Sequence, residues 1–386
     1  MQIGFCLFKY FPYGGIQRDL MKLARECLGR GHRVRVYVGL WDAPPPIEDI
    51  EVIEVPMTGF ANHTKYARFA GWVAQHVRSH PVDLLVGMNK MPGLDVYYAG
   101  DSCYAEKART QRSALYRLLP RYRHFARVER QVFEAGAKTE ILTISDNEIP
   151  YFRKHYATPE QRFHSLPPGI DRDRAAPADA DRVRAEFRRE FALGDGEQVL
   201  LFVGSGFIKK GLDRALLAVK ALPPELLAST RLMVVGNDNP EPFRRMALRL
   251  GIAGQVQMFA GRDDVPRLMQ SADGLLLPAY DETAGMVIIE AMIAGLPALV
   301  TQNCGYARYL AEADAGLVAP LPFDQLAFNA QLVELLTSAQ RVQWRANGLA
   351  VAANPEIYRL AEVAVDHLER FVQASDVAKA AGAPPA

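Results

Sequence analysis

A chain of 386 residues is longer than one ordinary hydrophobic core supports, so two domains are expected. With 49% hydrophobic and 23% charged residues both should fold, and a formal net charge of +1 excludes a nucleic-acid footprint spread over the whole molecule. The four cysteines, Cys6, Cys27, Cys103 and Cys304, show no C-x-x-C spacing, which fits a reduced, cytosolic protein without a zinc site. No apolar run approaches the roughly 18 residues of a membrane span, and the N-terminus lacks the order of a signal peptide.

Ile3 to Phe8 is strand-like, and Lys9-Tyr10-Phe11-Pro12-Tyr13-Gly14-Gly15 leads into a helix from Ile16 to Arg30. Strand-like runs follow at Val34 to Val38, Ile50 to Val55, Leu84 to Gly87, Val96 to Ala99 and Ile141 to Ile144, with helical patterns between several of them. Such alternation predicts a parallel, doubly wound sheet. Asn89, Lys90 and Asp101 fall just past strand ends, where open α/β sheets collect ligands. Ser145 and Glu148 have the spacing of a capping box.

From Tyr104 to Glu134 the pattern changes. Lys107, Arg109, Arg112, Arg117, Arg121, Arg123, Arg127 and Arg130 outnumber Glu106, Glu129 and Glu134. Positions 115, 118, 122, 125 and 129 make a mostly apolar stripe flanked by arginines, with Pro120 expected to kink or break it. This reads either as a grip on an anionic membrane surface, at about 1 kcal/mol per basic residue, or as a surface helix whose stripe is core.

Leu166-Pro167-Pro168-Gly169 reads as a stiff connection that divides a domain 1–168 from a domain 169–355; the stretch from Asp171 to Asp195 is charged, and its pairs Asp171-Arg-Asp173 and Asp179-Ala-Asp181 read as surface loop. A second α/β series begins with Gln198 to Val203, then Gly204-Ser205-Gly206-Phe207-Ile208-Lys209-Lys210-Gly211 and a helix from Leu212. Small residues and two lysines at a strand end suit a pyrophosphate, although neither the Walker nor the dinucleotide pattern is met. Leu232 to Val235 and Val256 to Phe259 continue the series, and Gly261-Arg262 opens a short helix from Val265. Helices are expected from Phe323 and Arg341, a last one from Glu356 to Val372 that crosses back to the first domain, and a disordered tail from Asp376 to Ala386.

The stretch that organises the second half runs from Gly274 to Leu299. Gly274 to Leu277 reads as a buried strand, Pro278 to Gly285 as its loop, and the segment from Met286 as a helix that stops before Gly295. A phosphate belongs at that helix start, where Gly285 admits it and the amides of Met286 and Val287 face it. Glu282 can reach a sugar beside the phosphate, and Glu290, two turns along, can accept from a ribose.

Taken in order, Gly14-Gly15, Pro168-Gly169-Ile170-Asp171, the Gly204 loop with Lys210-Gly211, Gly261-Arg262, and Glu282 and Glu290 at E-x7-E spacing resemble the retaining glycosyltransferases of family 4, with the GT-B fold. The resemblance runs from Met1 to Val372. Asn89 to Tyr97, Cys103 to Lys107 and Tyr116-Arg117-Leu118 look like runs of the glucosyltransferases of the lipopolysaccharide core. It implies two Rossmann-like domains with a cleft between them and transfer of a hexose from a UDP-sugar, glucose above all, to a heptose of a lipid-linked inner-core acceptor. UDP-galactose or a UDP-N-acetylhexosamine are the alternative donors.

By the resemblance, Glu290 holds the ribose, Glu282 sits by the donor sugar, Lys209 and Lys210 neutralise the diphosphate, and Gly204, Gly285, Met286 and Val287 cradle it. Gly15 completes the cradle, Arg262 lies by the base, and Asp19 and Asp101 face the acceptor or the reacting carbon. No metal and no cofactor beyond the donor is implied. The enzyme would work on the cytoplasmic face of the inner membrane. Lys209 stands where relatives carry Arg, Pro168 where Asn is usual, and Asp101 where His is frequent. Rival readings are a sugar-nucleotide epimerase, which needs no acceptor, and a lectin-like or lipid-surface binding protein.

Overall fold

The computed structural model describes residues 1–11, 14–42, 49–194 and 196–380. Pro12 and Tyr13 of the first glycine loop, Asp195 at the end of the charged stretch, and 381–386 of the expected tail lie outside the described residues. The chain divides into two compact units, one of Met1–Gly169 with the stretch from Arg359, the other of Ile170–Tyr358.

Each unit is built on one parallel sheet. The first contains β1 (Gln2–Leu7), β2 (Arg33–Val38), β3 (Ile50–Glu54), β4 (Leu84–Gly87), β5 (Val96–Ala99), β6 (Glu140–Thr143) and β7 (Phe163–Ser165), in the order β3-β2-β1-β4-β5-β6-β7. The second contains β8 (Gln198–Val203), β9 (Thr230–Val235), β10 (Val256–Phe259), β11 (Gly274–Leu277), β12 (Ala298–Thr301) and β13 (Gly316–Ala319), in the order β10-β9-β8-β11-β12-β13. β7 was not legible in the sequence: three residues are too short to show a period, and pairing with β6 makes them a strand.

Burial on both faces explains the unbroken apolar runs. Leu201, Leu275 and Leu277 pack in one layer with helix Met286–Ile293, while Leu200, Leu276 and Leu299 pack in the opposite layer with helix Leu212–Lys220. Each such leucine, wholly buried, contributes about 1.5–3 kcal/mol. The helices that follow β8 and β11 therefore leave toward opposite faces. Their loops part at the carboxyl edge, and the crevice of a doubly wound sheet opens there.

The basic segment differs from its sequence reading. It forms helix Tyr104–Gln111, a 3-10 turn Ala114–Leu118 and helix Pro120–Phe133. Pro120 breaks the segment as expected, by starting a new helix in the first turn, where its missing N–H is no loss. The expected stripe is therefore split. Leu115, Leu118 and Leu119 are 73%, 62% and 48% exposed, whereas Glu129 is fully buried and the buried apolar residues are Val128, Val132 and Phe133.

Three further expectations change. Ser145 accepts from the Asn147 amide as a cap should, at 3.3 Å, while the Glu148 carboxylate accepts from the Cys103 amide at 2.7 Å. Of the Asp pairs read as surface loop, Asp173, Asp179 and Asp181 are exposed as expected, but Asp181 lies in helix Ala180–Glu190, which buries Phe187. The last helix begins after a 3-10 turn, Pro355–Tyr358, and runs Leu360–Ala380, so it covers the start of the expected tail. Arg30 holds that helix through Asp366 at 2.6 Å and Glu369 at 3.1 Å.

Candidate active site

β8 ends in a loop that alternates burial with exposure. Gly204 (φ +126°) and Gly206 (φ +83°) let the chain turn, Phe207 plunges into the core, and Ile208 is left 75% exposed. Asp238 Oδ2 accepts from the Phe207 amide at 2.9 Å and fixes the turn from the β9 side. Lys209 and Lys210 follow. Gly211 has φ +76°, and a Cβ there would lie 2.0 Å from the Pro278 carbonyl oxygen, so only glycine lets this loop touch the loop after β11.

That second loop, Pro278 to Gly285, is held by its backbone. The Arg214 guanidinium lies between the rings of Tyr280 and Phe323, at 3.5 and 3.8 Å from their centroids, and donates to the Pro278 and Ala279 carbonyls at 3.2 Å each. Asn303 Nδ2 donates to the Tyr280 carbonyl at 2.9 Å and Thr301 Oγ1 to that of Ala279 at 3.0 Å. From behind, the amides of Gly305 and Tyr306 donate to the carbonyls of Glu282 and Ala284 at 3.1 and 2.7 Å. The Cys304 thiol beneath them is pushed up to about 12 by burial, so it packs and does not react.

On this frame Lys210 Nζ donates to Glu282 Oε2, and Lys209 Nζ stands 3.8 Å from Asp281 Oδ2. The Lys210 and Glu282 side chains are 16% and 14% exposed. Gly285 (φ +82°) caps helix Met286–Ile293, whose first amides, those of Met286 and Val287, have no acceptor within the helix. Glu290 is that helix's one charged residue and is only 7% exposed. Gly204, Lys209, Lys210, Glu282, Gly285, Met286, Val287 and Glu290 thus belong to the two loop–helix units where β8 and β11 part. Two ammonium groups and a helix's first amides so placed are the chemistry that suits a diphosphate, and the carboxylates the chemistry that suits hydroxyl groups.

Arg262 follows β10, at the sheet's edge and two strands from β8. Its guanidinium grips Asp264 through two bonds of 2.7 and 2.8 Å and lies over the Phe259 ring. Between these positions a hollow of roughly 670 Å³ is lined by Gly236, Asn237, Asp238, Asn239, Met258 and Phe259 among others. Asn237 Oδ1 accepts from the Gly261 amide at 2.7 Å. Sequence reasoning passed over Asn237, Asp238 and Arg214, although Gly236-Asn237-Asp238-Asn239-Pro240 is a dense turn signal directly after a strand.

In the first unit Gly15 is the first residue of helix Gly15–Gly29, and a Cβ there would meet nothing within 4 Å. Asp19, one turn on, is buried, and Tyr98 of β5 donates to it at 2.8 Å. Asp101 is exposed in the turn after β5. Asn89 and Lys90 are spent on structure: Asn89 Oδ1 accepts from the Phe8 amide at 2.9 Å, and Lys90 pairs with Glu129 at 2.6 Å. Among the described residues no three His, Cys, Asp or Glu side chains gather as a metal site, and no helix is long and apolar enough to cross a membrane.

Two family profiles match the chain in succession: Glycosyltransferase Family 4 over residues 13–174 and Glycosyl transferases group 1 over 183–351. The lipopolysaccharide glucosyltransferase WaaG of Escherichia coli K12 is 45% identical over 367 residues, covering 95% of this chain and 98% of its own. A crystal structure of WaaG superposes with a TM-score of 0.89, covering 94% and 98% of the two chains. HepE of Anabaena, solved in complex with UDP and glucose, shares the fold at 17% identity and a TM-score of 0.73, covering 96% of this chain and all of that one. With a relative this similar along nearly its whole length, two parallel sheets and an E-x7-E loop–helix, the chain belongs to glycosyltransferase family 4, sugar-transferring enzymes of the GT-B fold.

Proposed function

We propose that this enzyme transfers glucose from UDP-glucose, with retention at the anomeric carbon, to a heptose of the lipopolysaccharide inner core. The observation that carries the reading is the Lys210–Glu282 pair at the parting of β8 and β11, beside the Gly285 helix start, in a chain 45% identical to a lipopolysaccharide glucosyltransferase. Breaking the bond from sugar to diphosphate puts negative charge on the leaving group. Lys209, Lys210 and the amides of Met286 and Val287 meet that charge, preorganised by the backbone frame of their loops. No metal is then required. Glu290 takes the ribose hydroxyls and Glu282 the hydroxyls of the sugar, releasing Lys210 to the diphosphate. Gly204 leaves room for it, and Arg262 flanks the base. Asp19 and Asp101 serve the acceptor side. The leaving phosphate oxygen takes the acceptor's proton on the face where the sugar departs, so no protein nucleophile is needed.

Purified enzyme given a panel of sugar nucleotides and a heptose-containing core acceptor should release UDP fastest from UDP-glucose, only with acceptor present, and undiminished by EDTA. Rearranged sugar without acceptor would make it an epimerase.

We also propose that the basic segment docks on the anionic cytoplasmic face of the inner membrane, where a lipid-borne acceptor is made. Support comes from the exposed Leu115, Leu118 and Leu119 on the turn between two helices, with Arg117, Arg121 and Arg123 exposed around them. Co-sedimentation with anionic but not neutral vesicles, abolished by reversing those three arginines, is the expected result. Equal binding to both lipids would remove the proposal.

A further inference from the structure

Glu129 is fully buried, yet nothing in the transfer chemistry uses it. Its Oε1 accepts from Lys90 Nζ at 2.6 Å and from the Tyr104 amide at 2.7 Å; its Oε2 accepts from the Ala105 amide at 2.9 Å and from the Tyr156 hydroxyl at 2.7 Å. Lys90 also donates to the Ser102 carbonyl at 2.8 Å, with its ammonium 5.3 Å from the Phe152 ring centroid. Glu148 accepts from the Cys103 amide. Four consecutive residues, Ser102 to Ala105, are therefore each tied by a main-chain group to a charged side chain.

A buried ion pair is a poor source of net stability, but one whose every hydrogen bond is made allows only one geometry. Burial pushes the Glu129 carboxyl up, yet Lys90, then the Tyr156 hydroxyl and the Tyr104 amide, hold it below its ordinary range, so it is an anion at neutral pH. The turn so fixed is the one that follows Asp101, whose charge also acts on Lys90.

We infer that Glu129, with Lys90, is a positioning residue for transfer: it sets the turn from Ser102 to Ala105 and through it the placement of Asp101. The inference rests on the reading of Asp101 given above. Glu129→Gln keeps the shape and removes the charge. Its kcat for transfer should fall at least fivefold while KM for UDP-glucose stays within twofold, because the donor loops belong to the other sheet. If Glu129 acts through Asp101, the double variant D101N/E129Q is no slower than D101N. Hydrogen exchange should quicken at Tyr104 and Ala105 and not in β8.

A smaller fall in kcat, or losses that multiply in the double variant, would overturn the inference. Should Glu129→Gln fail to fold, Tyr156→Phe removes one neutral donor and keeps the charge; at least a twofold lower kcat at unchanged KM is expected, and wild-type kcat overturns it. Failure of the underlying reading has a different signature, wild-type enzyme that releases no UDP from any sugar nucleotide with acceptor.

Discussion

Each sheet has a lysine–glutamate pair beyond its strand ends, Lys90–Glu129 in the first unit and Lys210–Glu282 in the second, and the two differ in what surrounds them. The Lys90 and Glu129 side chains are 12% and 0% exposed, and Glu129 shares its two oxygens among five donors, the Cys103 thiol the most distant at 3.9 Å. Lys210 and Glu282 stand at the mouth of a crevice, on loops whose backbones are held independently by Arg214, Asn303, Thr301 and the Gly305 and Tyr306 amides. A pair built into the core cannot be exchanged without unfolding its neighbours. A pair at the mouth can be opened by a ligand that offers each partner a better one.

The comparison is broken most severely by removing one lysine from each pair. Lys90→Met strands a buried carboxylate and should lose about 3–5 kcal/mol in urea unfolding, whereas Lys210→Met should lose clearly less, because Glu282 keeps contact with solvent. Equal losses would erase the distinction. Activity should reverse the order for the second pair: Lys210→Ala is expected to lower kcat/KM on the order of 100-fold, and Glu290→Ala at least about tenfold. Near-normal turnover of both with a UDP-sugar would remove the assignment.

Gly211→Ala tests the frame rather than the pair, since its Cβ would meet the Pro278 carbonyl and its φ is positive. About 1–3 kcal/mol of stability should go, read by thermal or urea unfolding, with activity falling alongside. The smallest effect concerns Glu106, whose carboxyl Arg109, then His155 and Lys154, hold down to about 2 against burial; in the unfolded chain it titrates near 4.5. A carboxyl depressed in the folded state contributes its stability fully above the unfolded value and loses it as pH falls through the folded one. Unfolding followed from pH 5 to pH 2 should therefore be less steep in Glu106→Gln.

The loop–helix from Gly274 to Ile293 was legible because everything that makes it is local: an apolar run, a proline, a positive-φ glycine and two acids eight residues apart. Lys209 and Lys210 could be assigned to phosphate chemistry from their place after β8. Their partners could not, because Lys210 and Glu282 are 72 residues apart and meet only once β8 and β11 are neighbours. The basic segment misled for the opposite reason. Its spacing put Leu115, Leu118 and Glu129 on one stripe; the break at Pro120 was legible, but only the structure leaves the leucines on a surface turn and takes Glu129 into the core.

Composition and periodicity alone determined that the chain is an α/β protein with two parallel sheets and that acids and glycines gather at the strand ends. A parallel strand buried on both faces must be apolar throughout, and a phosphate-facing turn must be small. Only the tertiary structure decided which charges are sealed in the core and which stand at the strand-end crevice. Strand order and layer packing choose the neighbours of each side chain, and burial turns the same lysine and glutamate into a fixed strut in one unit and an exchangeable pair in the other.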